Sequence, residues 1–490
     1  MKFSSKVEKC GLSPMRKFHP YAVAAKARGV NIYHLNIGQP DVQTPPAFFE
    51  AVKAFEPSVL AYAPSPGIPE LIDAIQNYYD KLDMHFDKSE IYVTAGGSEA
   101  LQIALQCILD DGDEILIPEP FYPNYNTMVR TCGASITPIP TCPEEGYRYA
   151  DREKIEAQIN EHTRAIIVTN PGNPTGVVLS HEKMEMLVDI AVKHDLFLIG
   201  DEAYREFVYG GEKLQSFGEF AERASDNIIV IDTVSKRFSA CGARVGCLIS
   251  KNREFMSHAM KYCQTRLSVA TLDQVACTAL YSVGPAYFDA VREEYKKRRD
   301  TLCRKLREIP GVVFDVPGGA FYVMAALPVD DADKFQQWLL EEFDDAGETV
   351  MFAPARQGQK RSPHGLRHRE PQDRACHGHS QKGHRGLQQQ IKKEREEMIR
   401  HIVMWKFREG TEEKSDEFLT KLAALDGVIP QLKKCEVARN IGEGNYDAVL
   451  VSEFESMDDL NAYKVDPRHV AVSDICKSIR ADRVAVDYEM

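Results

Sequence analysis

The chain has 490 residues, more than one hydrophobic core usually serves, so its length predicts two or three domains. Its 73 acidic and 60 basic residues give a net charge of −13, which argues against a nucleic-acid partner. The 12 cysteines are scattered without CxxC pairs or Cys/His ligand spacing, and the sequence shows no leader or long apolar span. We therefore expect a cytoplasmic protein with reduced thiols, no metal site and no membrane partner.

Residues 1–355 alternate short apolar runs with helix-like stretches. The apolar runs include EIYVTAG, DEILIP, RAIIVTN, LFLIGDEAY, NIIVIDTVS and GCLIS, and HEKMEMLVDIAVKHD is typical of the helical stretches. Strands that alternate with helices form βαβ units, in which a mainly parallel sheet is covered on both faces. The first part of the chain therefore predicts an α/β fold.

Two loops that follow predicted strands carry candidate binding groups. In TAGGSEALQIAL, Gly97 and Ser98 stand where a helix begins, and backbone N–H groups there can hold a phosphate. An ordinary turn between strand and helix explains the same residues equally well. The loop NPGNPTG, residues 170–176, ends another apolar strand and presents Asn173 as a hydrogen-bond donor between two prolines.

Asp201 and Tyr204 belong to the string DEAY, which directly follows the apolar run LFLIG. Open α/β sheets collect ligand-binding groups at the carboxyl ends of their strands. A carboxylate at that edge can pair with a protonated pyridine nitrogen and keep the ring an electron sink. An Asp that follows a strand also serves as a helix N-cap, and this alternative stays open.

Lys236 lies in TVSKRFSACGARVG among small and hydroxyl residues, with Arg244 eight positions further on. A lysine acts as an imine-forming nucleophile when a confined site holds its amine next to an aldehyde. The alternative is a solvated surface lysine beside an ordinary turn. The other motifs favour the first interpretation, since they supply groups that suit a phosphate and a pyridine ring.

The order GGS, NPGNPTG, DEAY and SK-x7-R resembles the class I/II aminotransferases of pyridoxal 5'-phosphate (PLP) fold type I over residues 10–355. The resemblance implies a large domain with a mainly parallel central sheet and an α+β small domain. The implied boundaries are an N-terminal arm with part of the small domain at 1–45, the PLP-binding large domain at 46–290 and a partial small domain at 291–355.

The resemblance also implies a role for each motif residue. Lys236 would carry PLP as a Schiff base and shuttle the substrate proton, while Asp201 would bind the pyridine nitrogen. Asn173 and Tyr204 would hydrogen-bond the ring hydroxyl oxygen, and Tyr122, in EPFYPNY, would stack on the ring. The residues implied at the phosphate are Gly97, Ser98, Ser235 and Arg244.

Two further implied contacts concern the substrate and a second subunit. Gly38, in LNIGQPD, would lie by the substrate carboxylate together with Asn173. Tyr62, in LAYAPSPGIPEL, would reach the phosphate of the neighbouring subunit, which implies a homodimer. Without the family context, core or rim aromatics remain an alternative interpretation of Tyr62 and Tyr122.

The reaction that the resemblance implies is a ping-pong transfer of an amino group from an amino acid to a 2-oxo acid, with Lys236 as general base. Other fold-type-I enzymes, such as a β-carbon–sulfur lyase or an aminocyclopropane-carboxylate-synthase-like protein, share the same motifs. Product analysis separates them, because a lyase forms pyruvate and ammonia from cysteine-like substrates. The sequence leaves an acidic, aromatic or aliphatic amino donor open.

Residues 356–397 are rich in His, Arg, Gln and Gly, show no periodicity and cannot bury a face. At this point the family normally continues to a strand like EVRIAY, whose Arg grips the substrate carboxylate. Arg367 and Arg369 lie in no strand-like context, so neither takes that role. Codons chosen for this segment and read from the second base encode EVRMAYV, a helix and a stop, so we interpret it as an out-of-frame linker.

Residues 398–490 predict a separate domain with the order β-α-β-β-α-β, which is the ferredoxin-like motif. MIRHIVMWKF and YKVDPRHVAV resemble the stress-responsive A/B barrel (Dabb) family of small dimeric α+β barrels. The resemblance makes His401 and His469 candidates for a barrel pocket, although a strand His and a helix-surface His are the preferred interpretation. A second dimer contact through this domain is expected, because the motif leaves one sheet face uncovered.

The missing carboxylate-binding Arg has a consequence for activity. We expect this chain to bind PLP with weak or no transamination. A non-enzymatic alternative is an inert PLP module fused to an active stress-response barrel, and the absence of a borohydride-sensitive cofactor absorbance would favour it.

Overall fold

The computed structural model describes residues 2–11, 16–210, 214–354, 399–440 and 446–489. The chain divides into two compact units, one within residues 1–361 and the other within 362–490. The segment interpreted as an out-of-frame linker, with Arg367 and Arg369, lies outside the described residues. Within the described ranges, no helix is both long enough and apolar enough to cross a membrane.

Eleven strands are described in the first unit, and six of them match the predicted apolar runs. In chain order they are β1 (Asn31–His34), β2 (Ile91–Thr94), β3 (Glu114–Pro118), β4 (Ser135–Ile139), β5 (Thr163–Thr169), β6 (Phe197–Asp201), β7 (Ile228–Thr233), β8 (Gly246–Ile249), β9 (Val313–Phe314), β10 (Ala325–Ala326) and β11 (Glu348–Met351).

The helices of the first unit alternate with these strands. They are α1 (Ser5–Glu8), α2 (His19–Ala27), α3 (Pro46–Lys53), α4 (Pro69–Asp80), α5 (Gly97–Ile108), α6 (Asn124–Thr131), α7 (Arg152–Glu156), α8 (His181–Lys193), α9 (Val234–Arg237), α10 (Arg253–Thr265), α11 (Thr271–Leu280), α12 (Pro285–Arg307) and α13 (Ala332–Glu341).

The central sheet has seven strands in the order β2-β8-β7-β6-β5-β3-β4. The five strands from β7 to β4 are parallel, and β8 runs antiparallel to both β7 and β2. This mainly parallel sheet confirms the predicted fold class. Because parallel strands end at the same edge, the loops after β5, β6 and β7 meet there.

Both faces of the sheet are buried, which explains the nearly continuous apolar runs of the central strands. On β5, Ile166 and Val168 pack into the core that holds α4, α8 and α11, while Ala165 and Ile167 pack into the core that holds α5, α6 and α10. Full burial of each larger aliphatic side chain stabilises the fold by roughly 1.5–3 kcal/mol. The rigid sheet therefore fixes the positions of the loops at its carboxyl edge.

A smaller layer joins the N-terminal segment to the end of the first unit. Strands β1 and β11 pair in parallel, from Asn31 with Glu348 to His34 with Met351. A separate apolar cluster combines α2 with this pair and contains Phe18, Ala22, Ala25, Ile32, Leu340 and Met351. Strands β9 and β10, which precede β11 in the sequence, form a short antiparallel pair.

The second unit contains one antiparallel sheet and three helices in its described part. Its strands are β12 (Ile399–Phe407), β13 (Lys434–Arg439), β14 (Ala448–Phe454) and β15 (Arg480–Glu489), and its helices are α14 (Glu412–Ala423), α15 (Met457–Val465) and α16 (Pro467–Ile479). The strand order β13-β14-β12-β15 is that of the predicted ferredoxin-like motif.

One predicted helix of this unit is divided in two. The stretch from Met457 to Ile479 breaks at Asp466, whose backbone is extended with φ −60° and ψ 128°. The following Pro467 disfavours helical geometry at the residue before it. The Asp466 side chain accepts a hydrogen bond from the Arg468 N–H at 2.9 Å, so it caps the second helix.

The two histidines of the second unit lie in different surroundings. His401 is a buried strand residue, 3% exposed, and its Nδ1 contacts Asp487 Oδ1. His469 is half-buried on α16, and its ring packs against Tyr463 with 4.2 Å between centroids. The preferred sequence interpretation was correct for the strand position of His401, but His469 is not an open helix-surface residue because Tyr463 covers its ring.

Candidate active site

The carboxyl edge of the central sheet brings together side chains that are far apart in the sequence. Asn173 follows β5, Asp201 ends β6, and Lys236 lies on α9 directly after β7. These three strands are adjacent and parallel. The predicted motif residues therefore share one edge, as the strand-end argument expected.

Lys236 is half-buried, and its amine faces the N-terminal segment. Its Nζ donates a hydrogen bond to the Gly38 carbonyl at 2.7 Å and lies 3.7 Å from Cys241 Sγ. Thr233 holds the start of α9, since its Oγ1 accepts the Ser235 N–H at 3.2 Å. This fixed partner within the unit favours a site lysine over the alternative of a solvated surface lysine.

Asp201 is buried at the end of β6, 8% exposed. Its Oδ2 accepts a hydrogen bond from Tyr125 Oη at 2.6 Å, and its Oδ1 accepts the Ala203 N–H at 3.3 Å. Burial raises the pKa of Asp201 above its ordinary value, and the bond from Tyr125 opposes this rise. A buried carboxylate with a strong donor suits a cationic partner.

The polar groups of Tyr204 and Asn173 lie within hydrogen-bond distance of each other at this edge. Asn173 Nδ2 donates to Tyr204 Oη at 3.2 Å, and Tyr204 Oη lies 2.6 Å from Tyr322 Oη. Burial raises the pKa of Tyr204 well above its ordinary value, so the phenol stays protonated. An amide and two phenols in this arrangement can hydrogen-bond one ligand oxygen.

The loop before α5 forms a cradle with Arg244. Gly96 has φ +82°, and a Cβ there would lie 2.6 Å from Arg244 Nη2, so the backbone needs glycine at this point. Arg244 Nη2 donates to the Ala95 carbonyl at 3.4 Å. Gly97 and Ser98 begin the 12-residue helix α5, whose N-terminal N–H groups favour an anion.

The remaining predicted residues occupy different parts of the site. Tyr122 is half-buried near Asp201, and burial followed by the charge of Asp201 raises the pKa of its phenol. A Cβ on Gly38 would lie 2.2 Å from Tyr322 Oη, so only glycine fits this close approach. Tyr62 is 81% exposed.

A buried ionic cluster below the site was missed at the level of the sequence. Asp232 on β7 accepts hydrogen bonds from Arg205 Nη2 at 2.9 Å and from Arg237, and Tyr79 Oη donates to it at 3.0 Å. Burial alone would raise the pKa of Asp232, but Arg237 and Arg205 hold it below its ordinary value. The cluster ties the loop after β6 to α9, which carries Lys236.

Tyr125 and Tyr322 are two contact residues that sequence reasoning also missed. Tyr125 stands three positions after Tyr122 in FYPNY, and Tyr322 ends the string PGGAFY. Their aromatic character gave no sign of which buried group each hydroxyl contacts. The spacing within FYPNY offered a weak signal, since residues three apart on one helical turn lie on similar faces.

The model of the family described as aminotransferase class I and II matches residues 30–344. The chain belongs to this family. Its first unit is a PLP-dependent aminotransferase, which uses amino acid and 2-oxo acid substrates, as the motifs predicted.

Several aminotransferases resemble this chain over most of their own length. A probable aspartate/prephenate aminotransferase of Aquifex aeolicus is 32% identical over 324 residues, which cover 65% of this chain and 82% of the relative. A probable N-acetyl-LL-diaminopimelate aminotransferase of Bacillus subtilis is 33% identical, and the match covers 71% of this chain and 86% of the relative. The aspartate aminotransferase of Thermus thermophilus with maleate superposes with a TM-score of 0.66 and 30% identity, covering 72% of this chain and 91% of that chain.

A second family model, described as the stress responsive A/B barrel domain, matches residues 399–490. The predicted relationship of the second unit is thereby confirmed. Residues 345–398 lie between the two matched ranges.

The residues at the sheet edge of this aminotransferase fit PLP. A guanidinium and a helix N-terminus suit the phosphate, and a buried carboxylate suits the pyridinium nitrogen. The paired donors Asn173 and Tyr204 suit the ring oxygen, and Lys236 supplies the amine. The glycine at position 96 leaves the cradle open where any Cβ would meet Arg244.

Proposed function

We propose that the carboxyl edge of the seven-stranded sheet is the site of amino-group transfer, with Lys236, Asp201 and Tyr204 as its catalytic residues. The observation that carries this proposal is the meeting of Asn173, Asp201 and Lys236 at the ends of three adjacent parallel strands. When bound, PLP supplies an electron sink that stabilises negative charge at the substrate Cα.

Lys236 moves the proton in this proposal. Its Nζ takes the proton from the Cα of the amino acid and later returns one, as general base and then general acid. The hydrogen bond to the Gly38 carbonyl at 2.7 Å supports this role, because it gives the amine a fixed partner in the N-terminal segment. The half-buried position limits the access of water to the amine.

The other proposed residues hold the cofactor. Asp201 pairs with the ring nitrogen, Asn173 and Tyr204 hydrogen-bond the ring oxygen, and Tyr122 covers the ring. The phosphate is held by Gly97, Ser98, Ser235 and Arg244. The cradle of Gly96 and Arg244 supports this assignment, since it combines a helix N-terminus with a fixed cation.

We further propose that the substrate carboxylate lies by Gly38 and Asn173. Tyr322 supports this placement, because its hydroxyl lies beside Gly38 and 2.6 Å from Tyr204 Oη, so a polar group adjoins the position proposed for the carboxylate. The relatives are named for aspartate, prephenate and N-acetyl-LL-diaminopimelate, so a panel of acidic, aromatic and aliphatic donors is the appropriate substrate test.

The proposal is tested by trapping the cofactor on its lysine. The full chain is incubated with PLP, reduced with borohydride, digested and examined by mass spectrometry. The expected result is a reduced adduct on the peptide that contains Lys236. An adduct confined to other lysines, such as Lys251 in its ion pairs with Glu90 and Glu222, would contradict the assignment.

A homodimer through the first unit is part of this proposal. Tyr62 supports it, because a tyrosine that is 81% exposed gains a function if it enters the phosphate site of a second subunit. Tyr62→Phe is expected to weaken PLP binding in the dimer. Tyr33→Phe is the control, since the Tyr33 hydroxyl contacts Glu348 of its own chain at 2.7 Å. Equal PLP affinity in both variants would contradict the shared site.

A second dimer contact is proposed for the open sheet face of residues 399–489. On this face Ile402 lies between Val451 and Val486, and Met404 lies between Val449 and Val484. The opposite face packs under the helices with Val403, Trp405 and Leu450. Six apolar side chains in two rows suit a second copy of the same face, because a two-fold interface is self-complementary.

The domain boundaries 1–45, 46–290, 291–355 and 398–490 also remain part of the proposal. The cluster that joins Phe18 and Ile32 to Leu340 and Met351 supports a small domain built from both ends of the first unit. The separate apolar core of the second unit supports a boundary before Ile399.

A further inference from the structure

Asp201 has a phenolic partner that no motif assigned. Tyr125 Oη donates to Asp201 Oδ2 at 2.6 Å, and both groups are buried. Tyr125 belongs to α6, and its backbone is therefore fixed by a different element from the strand that ends in Asp201. The bond joins the helix after β3 to the end of β6.

The direction of the hydrogen bonds follows from the available protons. A carboxylate oxygen only accepts, so the single phenolic proton of Tyr125 is directed at Asp201. Thr169 Oγ1 lies 2.8 Å from Tyr125 Oη and therefore donates its own proton to that oxygen. Thr169 is paired in register with Asp201 on neighbouring strands, which keeps all three groups together.

Tyr125 stays a donor over the whole physiological pH range. Burial raises the pKa of its phenol well above the ordinary value, and the charge of Asp201 adds to this effect. The other charged neighbours of Asp201 are Asp232, which disfavours its charged form, and Lys236, which favours it. Among these, Tyr125 makes the short direct bond to the carboxylate.

We propose that Tyr125 is a positioning residue that lowers the proton affinity of Asp201 and thereby keeps the ring nitrogen of bound PLP protonated. This inference rests on the proposed role of Asp201. A proton shared between a carboxylate and a pyridine nitrogen moves towards the group with the higher affinity. Without the phenolic donor the proton moves to Asp201, and the ring becomes a weaker electron sink.

The inference is tested with PLP labelled with ¹⁵N at the ring nitrogen and bound to the full chain. The ¹⁵N chemical shift of the bound ring reports its protonation directly and needs no turnover. Tyr125→Phe removes the hydroxyl and keeps the ring. Loss of a hydrogen bond to a charged group is expected to raise the proton affinity of Asp201 about 10-fold to 100-fold. The shift should therefore move towards the unprotonated value.

Tyr79→Phe is the matched control. Tyr79 is also fully buried and donates to a buried carboxylate, that of Asp232 at 3.0 Å. Its loss removes the same type of bond from a group that also has two arginine partners. The ring nitrogen is expected to keep the wild-type shift in this variant. An equal shift in Tyr125→Phe and Tyr79→Phe would show a general structural effect and overturn the inference.

Asp201→Asn separates this inference from the proposal on which it depends. A ring nitrogen that is protonated in the wild type and unprotonated in Asp201→Asn supports the role of Asp201. If Tyr125→Phe then keeps the wild-type shift, the inference about Tyr125 alone is wrong. If Tyr125→Phe does not fold, Thr169→Val tests the same chain of bonds, with a smaller shift in the same direction expected and an unchanged shift contradicting it.

Discussion

The two units of this chain use side chains at strands in different ways. In the first unit, the polar groups Asn173, Asp201 and Lys236 follow the ends of parallel strands and meet at one edge. In the second unit, side chains alternate along antiparallel strands, so one face enters the core and the other carries Ile402 and Val486 outward. Polar residues at strand ends therefore indicate a candidate active site, whereas apolar residues that alternate along strands indicate a candidate interface.

The largest expected effect tests whether the lysine at the strand end of the first unit carries the chemistry. Lys236→Ala should lower the rate at which bound PLP reacts with excess amino acid by about 10²–10⁴-fold, which is the usual contribution of a general base. Lys251→Ala removes ion pairs to Glu90 and Glu222 and a contact with the Phe86 ring but no residue of the proposed site, so it should leave that rate unchanged. A rate in Lys236→Ala close to that of the wild type, measured in a single turnover, would place the base elsewhere.

The next effect concerns the open face of the second unit. A chain of residues 398–490 should form a dimer, and Val486→Lys should weaken it by about 10²-fold or more, since the symmetry places two lysines in one interface. Val486 is 53% exposed in the single chain. Val465→Lys is the control, because Val465 is exposed on α15 instead of on the sheet. Sedimentation equilibrium measures all three, and a monomeric wild type would contradict the proposal.

A third effect concerns the segment between the units. We propose that the gene read from Gln357 onward in the shifted frame encodes EVRMAYV, whose Arg can bind a carboxylate as a bidentate fork. We expect kcat/KM for transamination to rise about 10-fold to 100-fold, as for a regained hydrogen-bonded charge pair. Changing that restored Arg to Lys keeps the charge, loses the fork and should remove most of the gain. Equal rates in the two frames would contradict the expected impairment.

Sequencing the genomic DNA across codons 350–400 complements this comparison. A missing or extra base there would make the two units products of adjacent genes. An unchanged sequence would mean that the cell makes the fusion with residues 356–397 as they are written.

The sequence predicted most of the first unit because three of its motifs follow β5, β6 and β7, which are neighbours in the sheet. The runs before Asn173, Asp201 and Lys236 each became a strand, and their parallel pairing explains why the three residues meet. Tyr125 and Tyr322 were not predictable in this way. Their roles depend on which buried hydroxyl or carboxylate a helix or a distant loop brings within 2.6 Å, and this distance has no signature in the chain.

The second unit shows a different limit of sequence reasoning. Its strand order and helices follow from periodicity, except at Pro467, where local backbone restriction ends a helix that the apolar pattern would continue. The burial of His401 and the covering of His469 by Tyr463 arise from packing between elements. The alternation of the strands gives the face of His401, whereas the partner Asp487 is fixed by the register of β12 and β15.

The smallest expected effect uses these histidines to distinguish the two units by pH. Burial lowers the pKa of His401 below the ordinary value, and Asp487 opposes this; burial also lowers the pKa of His469. The unfolded chain therefore binds more protons than the folded unit as the pH falls through about 6.5. Stability from this source is complete above that pH and is lost below it.

Trp405 offers a probe of that loss, because it is buried in the second unit and Trp338 is the other tryptophan of the sequence. In a Trp338→Phe background, urea unfolding followed by fluorescence should show a free energy that falls by up to about 1.4 kcal/mol per pH unit for each histidine below pH 6.5. His469→Gln should reduce the slope, since it removes one titrating group, while His85→Gln on the surface of the first unit should leave it unchanged. A stability that stays flat between pH 7.5 and pH 5.5 would show that Asp487 compensates the proton on His401, and the second unit would then lack the pH dependence that its buried histidines imply.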